Sequence, residues 1–393
     1  MDSPLLPYAR ALRPELVAWR RHLHMHPELS YREMATAAFV RERLAALGLE
    51  PSPPLAGGTG LTCTIHGLDD GPTVALRADM DALPIQEDAS APYASTKPGV
   101  AHLCGHDAHT TMLLGAGALL SRHRPARGHV RLLFQPAEED GAGAERMVED
   151  GALDGVDAIY ALHVDPQTPV GHTCTTVGPA NAAADEIEIE VIGAGGHAAY
   201  PHLSVDAVAV AAQVVTAIQH VVSRHSDPLQ PLVVTIGTIQ GGFASNVIAP
   251  SVRMTGTVRT FHPELRETMP ARLERVVQGV AAAHGATATL DVRFGYPTTV
   301  NDGSLLPDFE ASVAAVMGEG RNAQVAPTMG AEDFAYYAQR VPGMIAGLGV
   351  RNEVLDFTHP LHHPRFDLDE DALPLGAALL ADVARRWLAG QEG

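Results

Sequence analysis

The residues best able to do chemistry lie in three short runs: "HLCGHDAHT" from His102 to Thr110, "FQPAEEDGAG" from Phe134, and "ALHVDP" from Ala161. Together they offer a thiol, several imidazoles and two adjacent carboxylates. A divalent transition metal takes such side chains as ligands, and one carboxylate is left over to move protons. Cys104 and His106 are two residues apart, a spacing that lets both face one way from an extended loop. Cys104 is flanked by His102, Gly105, His106, Asp107 and His109, not by the apolar neighbours of a merely buried cysteine. A metal would itself deprotonate the thiol. Spacing alone leaves metal binding and an inert buried thiol both open. Glu138 and Glu139 follow a proline. They read either as a solvated acidic turn, since Asp140 comes next, or as a division of labour. In the second reading one carboxylate binds metal and its neighbour takes a proton from water.

Elements that would position these groups are visible in the pattern. A short apolar strand, Val74 to Ala78, ends in Asp79 and Asp81. A second, Val130 to Gln135, ends at Pro136 and then Glu138 and Glu139. A third, "AIYALHV", ends near His163. Apolar strands separated by helix-patterned segments predict a largely parallel sheet with helices on both faces. Ligands bind such sheets outside the carboxyl ends of the strands, so the three strand ends are expected to converge. "DAHTTMLLGAGALLSRHR" reads as a helix whose N-terminus points at the same place. Residues 8–50 also read as helical, closing at Gly48.

The character changes near Asn181. "DEIEIEVIGAGG" alternates acidic and apolar residues, the mark of a strand with one solvated face. A helix from Asp206 to Ser223 follows, then strands "LVVTIGTIQGG" and "SVRMTGTVRTF", a helix from Pro263 to about Ala283, and a strand "ATLDVRFGY". Strand, helix, strand, strand, helix, strand is the ferredoxin-like order. The expected fold is therefore α/β. A mostly parallel-sheet catalytic domain spans 1–183 and 298–393, with "MGAEDFAYYAQRVPG" and a last helix from about Asp369. A small α+β domain is inserted at 184–297.

Composition narrows the function. A chain of 393 residues is too long for the usual single core. A formal net charge of -19 argues against nucleic acid and anionic membrane as partners. It does not exclude an anionic small substrate, because the local field of a metal site opposes the global one. No apolar run reaches membrane-spanning length, and the start lacks the pattern of a secretion signal. Three scattered cysteines, Cys63, Cys104 and Cys174, are not a disulfide framework, so a cytoplasmic setting is expected.

With 20 histidines in the chain a lone histidine carries little weight. His22, His24 and His26 read as helix-end residues or supports behind the ligands. "GAGGHAAYPH" is a glycine-rich turn with no Gly-Lys-Ser/Thr, hence not a phosphate loop. His197 within it is either part of a flexible connection or a donor to an oxyanion. Asn246 and Arg259 are either a turn amide and an ordinary strand arginine, or a pair holding a substrate carboxylate, a task that suits the guanidinium fork.

"RRHLHMHPELSYRE", "LRADMDALPIQE", "HLCGHDAHT", "LLFQPAEEDGAGAERMVEDG", "ALHVDP", "GGHAAYPH", "SNVIAP", "GTVRT", "MGAEDFAYY" and "LHHPRF" stand in this order along the chain. In this it resembles the hippurate hydrolase, N-acyl-amino-acid amidohydrolase and plant auxin-conjugate hydrolase subfamily of the dinuclear metallo-aminoacylases and carboxypeptidases. The likeness runs from about residue 15 to 385. It implies a metallopeptidase-type catalytic domain with an inserted lid domain that also dimerises. It implies two divalent metals per subunit, typically manganese or zinc, with cobalt or nickel possible. Cys104, His106, Glu139, His163 and His362 would be ligands, with Cys104 the bridge. Glu138 would be the general acid/base, and Asp81 the aspartate that orients a metal-binding histidine. His197, Asn246 and Arg259 would serve the substrate site, the histidine being able to reach the partner subunit's site. Two positions depart from the pattern: His363 stands beside His362 where relatives often have a small polar residue, and Leu103 replaces a small residue before the cysteine.

The resulting expectation is a metal-dependent amidohydrolase that cleaves N-acyl amino acids to a carboxylate and a free amino acid. A dipeptidase or carboxypeptidase with the same apparatus is the enzyme alternative. An inert metal- or ligand-binding protein is the alternative from another class, and Glu138 argues against it, since a metal carrier has no use for a proton shuttle.

Overall fold

The computed structural model describes residues 3–88 and 91–391. In chain order its main elements begin with helices α1 (Leu6–Ala11), α2 (Arg13–Met25) and α3 (Met34–Ala46). Strands β1 (Leu61–His66) and β2 (Asp69–Asp79), helix α4 (His106–Arg122), strand β3 (Arg127–Gln135) and helix α5 (Gly143–Glu149) follow. Next come β4 (Ala158–Pro169), β5 (Thr173–Thr175), β6 (Ala183–Ile192), α6 (Ala207–Arg224), β7 (Leu232–Gly241) and β8 (Ser251–Thr260). The remainder is α7 (Pro263–Ala283), β9 (Thr287–Phe294), α8 (Leu306–Met317), β10 (Asn322–Gln324), α9 (Ala335–Ala338), β11 (Gly343–Arg351) and α10 (Ala372–Gly390). These divide into two compact units. The first comprises 1–178, 300–326 and 333–393, and the second 179–299 and 327–332.

The first unit is built on a seven-stranded sheet of order β1-β3-β2-β4-β11-β5-β10. Its centre, β3-β2-β4-β11, is parallel, while β1 pairs antiparallel with β3 at one edge. The central strands are apolar on both faces because both are covered. Val74, Leu76 and Ala78 of β2, with Val130, Leu132 and Phe134 of β3, join the larger core under α2, α4 and α10. Ala75, Leu133, Ile159 and Ala161 turn the other way, onto Met147 of α5 and Phe334 and Tyr337 near α9. The period-two segregation into two cores is what a central strand must show.

Strand β11, "GMIAGLGVR", has no strand signature in the sequence, because glycine lowers strand propensity. Here glycine is required by close approach. A Cβ at Gly347 would stand 2.4 Å from Cys174 Sγ, and one at Gly349 would stand 2.1 Å from Pro169 O.

The second unit has the antiparallel order β9-β6-β8-β7, with both helices on one face. Strand, helix, strand, strand, helix, strand in this spatial order is the ferredoxin-like arrangement. Ile187, Ile189 and Val191 of β6 are buried beneath the helices, whereas Glu186, Glu188 and Glu190 face outward. Helix α6 starts at Asp206, whose carboxylate accepts from the amides of Val208 and Ala209 at 3.0 and 3.2 Å, an N-cap. By length and composition α6 is apolar enough to cross a membrane, in contrast to the expectation that no apolar run reaches that length. It is one-sided, however: Val210, Ala211, Val214, Ile218 and Val221 are spent on the sheet of its own unit.

Candidate active site

The first unit gathers the metal-type residues. Gly105 sets the local geometry. It takes φ +86°, and a Cβ there would lie 2.3 Å from Val164 Cγ2, so only glycine fits between Cys104 and His106. The turn it makes opens α4 with His106. Ring orientation is fixed from behind. Nδ1 of His106 donates to Asp81, 3.0 Å from the backbone O and 3.2 Å from Oδ1, which leaves Nε2 as the ligand atom. Nδ1 of His163 donates to Val164 O at 2.8 Å, and its Nε2 stands 3.6 Å from Cys104 Sγ. His362 Nε2 lies 3.2 Å from Glu139 Oε1. The His362 loop is tied to the cysteine loop by its amide, which donates to Leu103 O at 2.8 Å.

The five expected ligands fall into two overlapping groups. Cys104, His106 and His163 form one, and Cys104, Glu139 and His362 the other; within each the donor atoms all lie within 4.8 Å of one another. Cys104 is common to both. Glu138 joins His106 and Glu139 in a third group of the same compactness.

The atoms left over in this cluster fit cations. His106 Nε2 and Glu139 Oε1 are buried with no hydrogen bond of good geometry, a costly state for polar atoms unless something else satisfies them. Burial, reinforced by the Glu139 carboxylate, pushes the Cys104 thiol well above its ordinary range. Only a cation in contact would hold a thiolate there. Burial opposes charge on His106, yet Asp79, Cys104 and Asp81 outweigh it and hold its pKa well above the imidazole range. The local field thus favours positive charge despite the burial.

Asp81, itself buried, holds more than a histidine. Its Oδ1 accepts from the Glu138 amide at 3.1 Å, and its Oδ2 from the Glu139 amide at 3.0 Å and from Ser30 Oγ at 2.7 Å. Burial would raise its pKa, but His106, Ser30 and the Glu139 amide hold it below the ordinary carboxylate value.

A buried charged layer, not evident from the sequence pattern, lies behind these groups. Asp79 Oδ1 accepts from His109 Nδ1 at 2.6 Å, and its Oδ2 from Arg77 at 2.8 Å. Arg77 also donates to Gln135 and Asp333. His109 Nε2 accepts from the Val164 amide at 2.8 Å, beside His163. The available signal was His109 standing three residues after His106 on one helix face. On the far side of α4, buried Asp107 is held by Arg20 at 2.9 Å and by His24 at 2.7 Å. His24 is thus a support, while His22 stacks on Phe39 and His26 meets the His22 ring edge-on.

The other three expected residues lie in the second unit. His197 and Asn246 are exposed neighbours: His197 stands opposite Val247 in a short antiparallel pair, and the Ala198 amide donates to Asn246 O at 3.0 Å. Arg259 is not with them. It lies near the far end of β8, opposite Ala184 and Val233, whereas His197 and Asn246 lie beyond the other end, where Ser251 faces Ile192. Eight residues of strand at roughly 3.4 Å each separate Arg259 from Ser251, on the order of 25 Å. The expectation that Asn246 and Arg259 hold one carboxylate together is therefore not met within a single chain, because the β8 register places them at opposite ends of the sheet.

Two outcomes are expected from the Asp81 and Gly105 geometry. Folding lowers the Asp81 pKa below its ordinary value of about 3.9, so its stabilising bonds are complete above about pH 4 and are lost as pH falls through the folded value. Asp81→Asn is expected to lower stability at neutral pH and to flatten the acid-side decline, read from urea midpoints between neutral and acid pH; acid limbs parallel to wild type would refute this. Gly105→Ala is expected to lose at least about 1–2 kcal/mol from the left-handed backbone alone, and to retain less divalent metal on dialysis.

Comparison with known proteins shows the family. The model of peptidase family M20/M25/M40 matches residues 75–386. The chain is 42% identical over 387 residues to the N-acetyl-L-cysteine deacetylase of Bacillus subtilis, covering 97% of this chain and 90% of that one. It is 40% identical over 380 residues to the IAA-amino acid hydrolase ILR1-like 4 of Arabidopsis thaliana, covering 95% and 86%. Among solved structures, the YXEP protein of Bacillus subtilis, a dinuclear metal binding peptidase of the M20 family, superposes with a TM-score of 0.85 at 36% identity, covering 97% and 99%. The chain belongs to peptidase family M20/M25/M40 and is a metal-dependent amidohydrolase.

Proposed function

We propose that this enzyme cleaves the amide of N-acyl amino acids, with Glu138 moving the proton and Cys104 among the residues that would hold two divalent ions. The observation that carries this reading is the pair of ligand groups meeting at Cys104 with Glu138 alongside. The relatives named as acting on N-acetyl-L-cysteine and on IAA-amino acids support the substrate class.

Cys104, His106, Glu139, His163 and His362 would hold the ions, manganese or zinc, with cobalt or nickel also compatible with a mixed thiolate, imidazole and carboxylate set. Such ions lower the pKa of water and polarise the amide carbonyl. Glu138 takes a proton from the attacking water and returns it to the leaving nitrogen. Asp81 keeps His106 oriented and fixes the peptide that carries Glu138 and Glu139. His197 donates to the oxyanion, and Arg259 grips the carboxylate of the amino-acid half with its forked donors.

The separation of Arg259 from His197 and Asn246 supports a homodimer in which the two ends of the inserted unit serve different active sites. We also assign a cytoplasmic compartment, on the three free thiols.

A panel of N-acetyl, N-benzoyl and dipeptide substrates tests the substrate class; turnover confined to free dipeptides would assign the enzyme to the dipeptidases instead. Glu138→Gln should keep its metal content while losing at least about 100-fold in turnover, and near-normal turnover would remove the proton-shuttle role. The dimer reading is tested by mixing inactive variants under conditions of subunit exchange. His197→Ala with Arg259→Ala should regain activity, since one of the two sites in the mixed dimer is then intact. His197→Ala with Asn246→Ala should not, because both residues come from the same end. Equal behaviour of the two mixtures would refute the shared site.

A further inference from the structure

A second group of nitrogen ligands lies at the opposite end of the first unit's sheet. On the antiparallel pair β1 and β3, His66 stands directly opposite His129. Opposed side chains of an antiparallel pair share one face of the sheet. The two Nδ1 atoms are 3.2 Å apart, with the rings inclined at 78°. The other side of His129 is engaged: Nε2 donates to Asp70 Oδ1 at 2.9 Å. A carboxylate only accepts, so Nε2 carries the hydrogen and Nδ1 of the neutral ring presents its lone pair toward His66. The Asp70 segment is held in turn by Arg127, whose Nε donates to Asp70 O at 3.0 Å.

We propose that His66 and His129 form a peripheral binding site for one divalent transition-metal ion of the copper, nickel or zinc type. Two nitrogens each about 2.0–2.1 Å from one ion stand about 3.3 Å apart at a tetrahedral angle and about 2.9 Å apart at a right angle, and the observed spacing falls between these values. Imidazole suits copper, nickel and zinc. Asp70 plays the part of the outer carboxylate that orients a ligating imidazole and raises its basicity. Water completes the coordination, as His66 is exposed and the Asp70 side chain almost fully so. The site is separate from the Cys104 cluster. His129 lies six residues before Gln135, the end of β3 that leads to Glu138 and Glu139, or about 20 Å at roughly 3.3 Å per residue. An ion held there joins the edge strand β1 to its neighbour β3.

The purified protein, with its resident metals in place, is titrated with nickel(II) at neutral pH and its binding stoichiometry measured by equilibrium dialysis. Wild type is expected to take one equivalent more than either His66→Gln or His129→Gln. Exchange into the central cluster affects all three proteins alike, so the difference isolates the peripheral ion. Hydrolytic activity of both variants should match wild type, which also shows that they are folded. Asp70→Asn should keep the equivalent but bind it about ten- to a hundred-fold more weakly. Nickel should raise the melting temperature of wild type more than that of His66→Gln. Equal nickel stoichiometry in wild type and both variants would overturn the proposal and leave the pair as an Nδ1–H···Nδ1 hydrogen bond.

Discussion

The carboxylate of Asp81 is the constraint on which the candidate site depends. It accepts from the amides of Glu138 and Glu139, from Ser30 and from His106, the bonds to His106 and the Glu138 amide buried and the other two partly so. Each of these donors would be expensive to leave unpaired in a medium of low polarity. One side chain just past the end of β2 therefore fixes both the peptide that leaves β3 and the first residue of α4. Two residues earlier, Asp79 does the same for the middle of β4, which runs on past His163 to Pro169, through His109 and the Val164 amide. Two aspartates at one strand end thus register three separate pieces of chain to one another.

The same region stores backbone strain. Ala137 and His362 both adopt left-handed φ, +55° and +63°, conformations that cost roughly 1–3 kcal/mol each and persist only where the surroundings enforce them. The Ala137 amide is held by the buried carboxyl of Glu33 at 2.9 Å, and the His362 amide by Leu103 O. Burial pushes the Glu33 carboxyl up to about 7. Each strained residue lies at or just before a candidate ligand or proton carrier, and each is pinned by a bond from a different segment.

Much of this was legible in the sequence, and the parts that were not have physical causes. His106 opens a helix and Glu138 and Glu139 follow an apolar strand, so there pattern and chemistry coincide, with Cys104 just before that helix; His163 was expected at a strand end and lies within β4, which continues to Pro169. The ferredoxin-like unit was legible because each strand of its sheet is solvated on one face, which writes acidic and apolar residues alternately along β6. Strand β11 was hidden, since the close approach of Cys174 and of the Pro169 carbonyl demands glycines that erase the strand pattern. The layer of Arg77, Asp79, His109 and Asp333 was hidden too, because buried ion pairs draw their members from distant segments and have no fixed spacing. The separation of Asn246 from Arg259 is a matter of register, which a local pattern of single strands does not contain.

The placement of β11 and α10 bears on how the chain comes to be folded at all. β11 fills the position between β4 and β5, and α10 lies across β2, β3 and β4 within the larger core. Both are made after the inserted unit. At roughly 5–20 residues per second, the more than 200 residues between β4 and the end of α10 take on the order of 10–40 s to emerge from the ribosome. During that interval the apolar edge of β4 and the α4 face that α10 will cover have no partner, while residues 179–299 are already complete enough to collapse as a body. The inserted unit is thus the first part able to fold. The larger unit, which carries every candidate ligand, cannot close its sheet until β11 and α10 are made, and an open sheet edge is exposed to misassembly.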